Sequence, residues 1–548
     1  MNEPSRTRPG SETIATADEL SARTAEDANL VVSTTSGQVV GSLRSGYRSW
    51  RGIRYAAAPV GELRWRAPQP PEPWDGVADA TEFGAACPQP SNPMIALAPG
   101  IRQDEDCLTL NVSAAAQCQP GRLCPVMVWV HGGAYIFGGS NQPMFEPGSL
   151  LATSPMVIVT INYRLGALGF LDLSSFSTQE HRFDSNLAVR DVLAALHWVR
   201  ENIAGFGGDP DQVTLAGESA GGGLVTTLLT MPAAQGLFAR AIAESAPATS
   251  VYDTQRGAKV AAMFLQEAQV EPSEPGRLRE LPVDEIVRAG FAVYSQVPRE
   301  FPGTLAYAPI VDGDLVPDYP LDRFRAGLSI PVPLLIGTNR DEAAMFKLMK
   351  SPLMPITSEA IMQMFADMAA DHPGLTLPSE AQVGSAYVGI NLKAKGLGVA
   401  RDLGFRMPTV WLAEGHSQVA PVFLYRFDWA TPMLHLIGIG ATHATELPYI
   451  WGNLISGPKD ITFKLGGLRT GRRLSARLQK RWLAFIAGGE PDAGSAAAPW
   501  PAFHVDPEPE AGQSESRATL VINADDRLEY DLDRETRLAW GDEVLSFL

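Results

Sequence analysis

Three short runs in this chain have little choice but to be buried strands. PVMVWVH (125–131), MVIVTIN (156–162) and QVTLAG (212–217) are β-rich and continuously apolar rather than alternating. That pattern suits strands covered on both faces, as in parallel sheets flanked by helices. Between the last two lies DSNLAVRDVLAALHWVREN (184–202), where Leu187, Val189, Val192, Leu193, Leu196, Trp198 and Val199 largely follow helical spacing. The Asp184/Ser185 pair is expected to cap its start. Strand, helix, strand and a further helix after Gly217 describe a wound α/β sheet.

PVPLLIGT (331–338) and APVFLYRF (420–427) supply later strands of the same kind, and VVSTTSGQVVGS (31–42) reads as a short hairpin. GIRYAAAPVGELRWRAPQPPEPWDG (52–76), rich in proline and aromatics, reads as ordered loop on the flank of the core. Residues 250–330 and 345–415 have mixed composition and read as insertions over the carboxyl edge of the sheet. The Pro- and Ala-rich stretch near 491–513 reads as a surface loop. No repeat or boundary divides the chain. The expectation is therefore one domain, 31–548, behind a flexible polar leader, 1–30.

Composition narrows the function classes. Acidic side chains number 61 and basic ones 44, for a formal charge of −17. That field repels a polyphosphate, so a nucleic-acid partner is not expected. No apolar run approaches the roughly 18 residues needed to span a bilayer. The leader lacks the basic-then-apolar order of a signal peptide. The protein is thus expected to be soluble and cytoplasmic. The spacing of Cys87, Cys107, Cys118 and Cys124 fits no zinc template. They read as two pairs close in space, bridged only in an oxidising compartment. No metal and no organic cofactor is expected.

GESAG (217–221) carries the sharpest chemical signal. It joins the strand QVTLA to a plausible helix, and so tight a junction leaves Ser219 exposed on a strained turn at a helix amino terminus. A serine hydroxyl needs a base to take its proton. His131 sits in the glycine-rich HGGAYIFGGS, His197 reads as packing within its helix, and His435 and His443 follow a strand ending near Phe427. His443, in GIGATHATELPYIWG, is the better candidate because small neighbours leave room for a substrate. An orienting carboxylate is expected after a strand between Ser219 and the histidine, where GTNRDEAAMF offers Asp341 and Glu342. HGGAYIFGGS suits an oxyanion hole, with the N–H of Ala220 as a further donor.

Taken in order, GIRYAAAPVGELRWRAPQP, EDCLTLNV, VWVHGGAYIFGGS, INYRLGALGFL, NIAGFGGDPDQVTLAGESAGG, GTNRDEAAMF and HATELPYIWG resemble the type-B carboxylesterase family. That group includes bacterial para-nitrobenzyl-esterase-like enzymes and the cholinesterases. The resemblance runs from about residue 31 to 490. It implies an α/β-hydrolase fold and hydrolysis of a small-molecule carboxylic ester by Ser219, Glu342 and His443. The implied oxyanion donors are Gly133, Ala134 and Ala220, with Ser245 of AESAPA in support. It also implies that Cys87 and Cys107 correspond to the first disulfide loop of the family. The enclosed PQPSNPMIALAPGIRQDED has no aromatic residue to stack on a quaternary ammonium, which disfavours choline esters. GTLAYAPIVDG brings Gly303, Leu305 and Tyr307 near the implied acyl pocket, with room for more than an acetyl group. Lactones, carbamates and polyesters suit the same chemistry. A non-catalytic binding protein on the same scaffold is disfavoured, because both nucleophile and base are present.

Overall fold

The computed structural model describes residues 30–374, 376–379, 382, 383, 387, 392–455, 457, 460–491, 498–506 and 516–548. The leader up to residue 29 and most of the 491–513 loop lie outside the described residues. Leu30, at the end of the expected leader, is buried, and its carbonyl accepts from the Trp50 indole.

The frame is an eleven-stranded mixed sheet. In chain order its strands are β1 (Ser42–Arg44), β2 (Tyr47–Arg54), β3 (Thr109–Ala115), β4 (Cys124–Val130), β5 (Val157–Ile161), β6 (Gly208–Glu218), β7 (Arg240–Glu244), β8 (Leu334–Asn339), β9 (Val422–Phe427), β10 (Ala518–Ile522) and β11 (Arg527–Tyr530). They lie in the order 11-10-9-8-7-6-4-5-3-2-1. Every pairing from β5 through β10 is parallel, and antiparallel pairs finish both edges. The continuous apolar runs fall on β4, β5, β6, β8 and β9. Residues 157–161 and 334–339 are buried at every position, as strands covered on both faces must be. The expected hairpin forms outside this sheet, from Val31–Ser33 and Gln38–Val40. Gly52–Arg54, expected in loop, ends β2 instead.

Helix α1 (Leu187–Asn202) follows β5, but its cap differs from expectation. Asn186 holds the cap position at φ 53°, and its amide donates to the Ile310 carbonyl and the Asp312 carboxylate. The Asp184 carboxylate instead accepts from Arg66 and Ala67, while the Ser185 hydroxyl donates to Asp312. Long-range partners have claimed both expected capping groups. His197, expected to pack, points to solvent. The INYRLG motif explains itself here: Arg164 makes a buried two-toothed ion pair with Asp191 of α1.

Helix α2 (Ala220–Leu228) starts directly after β6 and packs on β6 and β7. Between β7 and β8 lie α3 (Thr254–Glu267) and α4 (Val283–Glu300), packed on each other. Between β8 and β9 come α5 (Ser358–Asp371), α6 (Leu392–Arg401) and α7 (Met407–His416). Only part of that second segment is an insertion, because α7 packs back onto β8 and β9. Helix α8 (Leu468–Gly488) covers β4 and β6. Among the described residues no helix is long and apolar enough to cross a membrane.

The cysteines pair differently from the implied loop. Cys118 and Cys124 form a disulfide that closes the turn into β4. Cys87 and Cys107 are buried free thiols side by side. The Cys87 side chain and burial together push the Cys107 thiol well above its ordinary value.

Candidate active site

Four of the expected site residues sit at or just beyond the carboxyl ends of neighbouring parallel strands. Ser219 follows β6, Ser245 follows β7, Glu342 lies three residues past β8, and His443 lies on the long connection after β9. Ser219 has φ 56° and ψ −125°, a conformation that costs an ordinary residue of order 1–3 kcal/mol. Its N–H donates to the Glu244 carbonyl at 2.9 Å, which holds the turn. Gly221 makes the turn possible: a Cβ there would lie 2.0 Å from the Val130 carbonyl oxygen.

The His443 ring lies between Ser219 and Glu342. The Ser219 Oγ is 2.8 Å from Nε2, and Nδ1 is 2.6 Å from Glu342 Oε2. An Nδ1–H donated to the carboxylate leaves Nε2 free to accept the serine proton. Glu342 is fully buried, and its Oε1 accepts from the Ser245 hydroxyl at 2.6 Å and the Asn339 N–H at 2.7 Å. Asp341, the alternative acid, instead fastens the loop ahead of His443, because its carboxylate accepts from the Ala441 N–H. His435, the alternative histidine, is exposed. His131 is buried and stacked on Tyr163, and burial lowers its pKa to about 4.

The HGGAY turn faces the same point. Gly133 has φ 122°, and a Cβ there would lie 2.1 Å from the Phe137 carbonyl oxygen. Ala134 and Tyr135 follow at φ 52° and 62°. Successive left-handed residues turn backbone N–H groups toward a common concavity. No carbonyl or side chain among the described residues accepts from the N–H of Gly133 or Ala134. Ala220, first residue of α2, has an N–H without an intrahelical acceptor. Gly133, Ala134, Ala220, Ser219 and His443 all line one cavity of about 730 Å³.

Three buried carboxylates were not singled out in the sequence. Glu218 Oε1 lies 3.3 Å from His443 Nε2, and burial raises its pKa to about 7, with the Glu342 charge adding to the effect. Glu446 accepts from the Asn339 amide, and burial with the Glu218 and Glu342 charges raises it to about 8. Glu244 accepts from the Trp482 indole at 2.7 Å and is raised well above its ordinary value by burial and the Glu446 charge. The signal was adjacency: they sit beside Ser219, beside Ser245 and three residues past His443. Burial alone would lower His443, but Glu218 and Glu342 outweigh it and hold its pKa up at about 9.

The cavity wall is mostly apolar, and seven of the chain's 15 methionines reach it, Met345 and Met364 among them. The 87–107 loop contributes Met94 and Ile95 but no aromatic ring. Gly303 and Leu305 line the cavity as expected. Tyr307 does not: it is fully buried, with its hydroxyl donating to the Gly290 carbonyl in α4.

The carboxylesterase family model matches residues 28–527. The chain is 37% identical to the para-nitrobenzyl esterase of Bacillus subtilis, over 92% of this chain and 97% of that one. It is 33% identical to the mouse acylcarnitine hydrolase, over 85% and 84% of the two chains. A solved thermophilic PNB esterase superposes with a TM-score of 0.80 at 36% identity, over 94% of this chain and all of its own. A Geobacillus stearothermophilus carboxylesterase gives 0.79 at 32% identity, over 93% of this chain and all of its own. With likeness of sequence and of fold both running nearly end to end, this chain belongs to the carboxylesterase family and is a carboxylic-ester hydrolase of the α/β-hydrolase fold.

Proposed function

We propose that Ser219 is the nucleophile of this esterase, His443 its general base and Glu342 the carboxylate that orients the histidine. The observation that carries this reading is the unbroken hydrogen-bond chain from Ser219 Oγ through the His443 ring to Glu342. Ser219 attacks the ester carbonyl as His443 Nε2 takes its proton. The oxyanion settles on the N–H groups of Gly133, Ala134 and Ala220, each such donor typically worth ~3 kcal/mol. The protonated His443 hands its proton to the leaving alcohol, and the acyl group stays on Ser219. Water then attacks that acyl group with His443 as base, and the acid departs. Ser245 supports Glu342 from behind, keeping its second oxygen bonded so that the first faces Nδ1.

The substrate belongs to the same proposal: a mostly apolar small-molecule ester, drawn from one side of a methionine-lined cavity. Methionine walls adapt to varied shapes, which suits a broad rather than a single-substrate esterase. Nucleic acid is no part of this reading, given the formal charge of −17. The proposed compartment is the cytoplasm, which suits the adjacent unbridged thiols of Cys87 and Cys107, whereas the Cys118–Cys124 disulfide points to oxidising surroundings. Finding Cys87 and Cys107 oxidised in protein isolated under alkylating conditions would count against it.

Fluorophosphonate labelling with peptide mapping tests the nucleophile, alongside Ser219→Ala assayed on p-nitrophenyl butyrate. Labelling is expected at Ser219 alone, and the alanine variant should lose about 10⁴-fold or more in kcat. Label at another serine, or near-normal turnover by the variant, would overturn the assignment.

A further inference from the structure

Residues 545–547 lie far along the chain from every catalytic motif, yet they form part of the cavity wall. Leu545, Ser546 and Phe547 all line it, and Leu545 and Phe547 are buried there. The corner they close is defined by Gly303. A Cβ on Gly303 would lie 2.7 Å from Met364 Sδ and 3.4 Å from Phe547 Cε2, so those side chains meet where residue 303 has none. Leu305 and Tyr252 complete the corner, the Leu305 N–H donating to the Tyr252 hydroxyl at 2.8 Å.

A clasp holds the segment in place. Arg256 of α3 donates from Nε to the Leu548 carbonyl and from Nη2 to Asp371 of α5, both at 2.8 Å. Its guanidinium lies 5.1 Å from the Phe547 ring centroid and 5.2 Å from that of Tyr252. The Leu548 N–H returns to Asp371 at 3.3 Å. The cation at this corner is therefore already engaged, and Leu305, Met364, Leu545 and Phe547 make most of the surface offered to a substrate apolar.

The corner's position follows from the chain path. From Ser245 the chain passes Pro247, which lies against the Gly223 position in the first turn of α2, and reaches Tyr252. Tyr252, which lines the corner, is thus carried on the segment that runs from Ser245 past the first turn of α2. In a tetrahedral adduct on Ser219 the leaving alcohol must stay within reach of His443 Nε2. The acyl chain takes the remaining direction, away from the histidine.

We infer that residues 545–547 form the end wall of the acyl subsite, and that Phe547 sets the longest acyl chain the enzyme takes. The preferred substrates are esters of uncharged, apolar carboxylic acids longer than acetic acid. The inference rests on Ser219 being the nucleophile.

The test uses the full chain, with active enzyme counted by fluorophosphonate titration so that misfolded molecules drop out. kcat/KM is measured for p-nitrophenyl esters from acetate to dodecanoate, and for acetates of increasingly large alcohols. Phe547→Ala should raise kcat/KM for the longest acyl esters about tenfold relative to p-nitrophenyl acetate, with Phe547→Leu intermediate. Ser546→Phe should lower the longest acyl esters by a similar factor. The alcohol series should not move in any of the three variants. Acyl profiles parallel to wild type in all three, or a shift confined to the alcohol series, would overturn the inference. An unlabelled wild-type protein would instead strike at the nucleophile assignment itself.

Discussion

The carboxyl edge of the sheet and the cavity wall above it are built on opposite terms. At the edge, one fully buried glutamate accepts three hydrogen bonds: from Ser245, the Asn339 N–H and His443. Each partner comes from a different stretch of chain, and each has little freedom to move. On the wall, methionines and leucines meet the cavity through apolar contact, which is soft and tolerant of exchange. The difference separates two kinds of information. Reaction chemistry is specified by directional bonds and fails abruptly, whereas substrate choice is specified by volume and shifts by degrees.

Breaking the edge should therefore cost most. Glu342→Gln keeps size and burial but cannot stabilise an imidazolium, and kcat should fall about 10⁴-fold with KM little changed. A loss below tenfold would mean that His443 works without this carboxylate. Ser245→Ala removes one bond to a buried charged group, worth about 1.5–3 kcal/mol, so kcat should fall by roughly ten- to a hundredfold. Recovery of most activity in Ser245→Thr would separate the hydroxyl's role from general damage. The Glu218 charge helps hold the His443 pKa up, and catalysis needs the neutral ring. Glu218→Gln should then move the acid limb of kcat/KM to lower pH by about one unit; a limb that stays put would place Glu218 outside the titration. The wall should yield the smallest change. Met345→Leu conserves volume, and short esters should be hydrolysed within about two-fold of wild type while bulky ones change rank.

What could be read in advance divides along the same line. β4, β5, β6, β8 and β9 announced themselves because burial on both faces demands unbroken apolar runs. The Gly221 and Gly133 turns showed because close backbone approach excludes a side chain, and that leaves a mark in sequence. β7 was missed: RAIAE is five residues with charged ends, and its burial comes from neighbours on both sides. The α1 cap failed because Asp184 and Ser185 were drawn off by Arg66 and Asp312, which are distant in sequence. Tyr307 was placed near the acyl pocket by the family resemblance of GTLAYAPIVDG, but a bond to Gly290 turns it into the interior. Glu218, Glu244 and Glu446 went unremarked because glutamate is ordinarily a surface residue, and nothing local says that these are not. The 545–547 wall had no local signal at all, since its role arises only from the clasp on Arg256 and Asp371.

The three partners of Glu342 have one more consequence. Ser245 follows β7, Asn339 ends β8 and His443 lies on the long connection after β9, so the carboxylate is fully bonded only when β7 and β8 lie side by side in register and that connection has folded back over them. A slip of one residue would turn the alternate side chains to the wrong face. Reactivity of Ser219 toward a fluorophosphonate thus serves as a clock on assembly. Sampled during refolding, the appearance of label times the moment when the centre of the sheet closes, and partly paired chains stay silent.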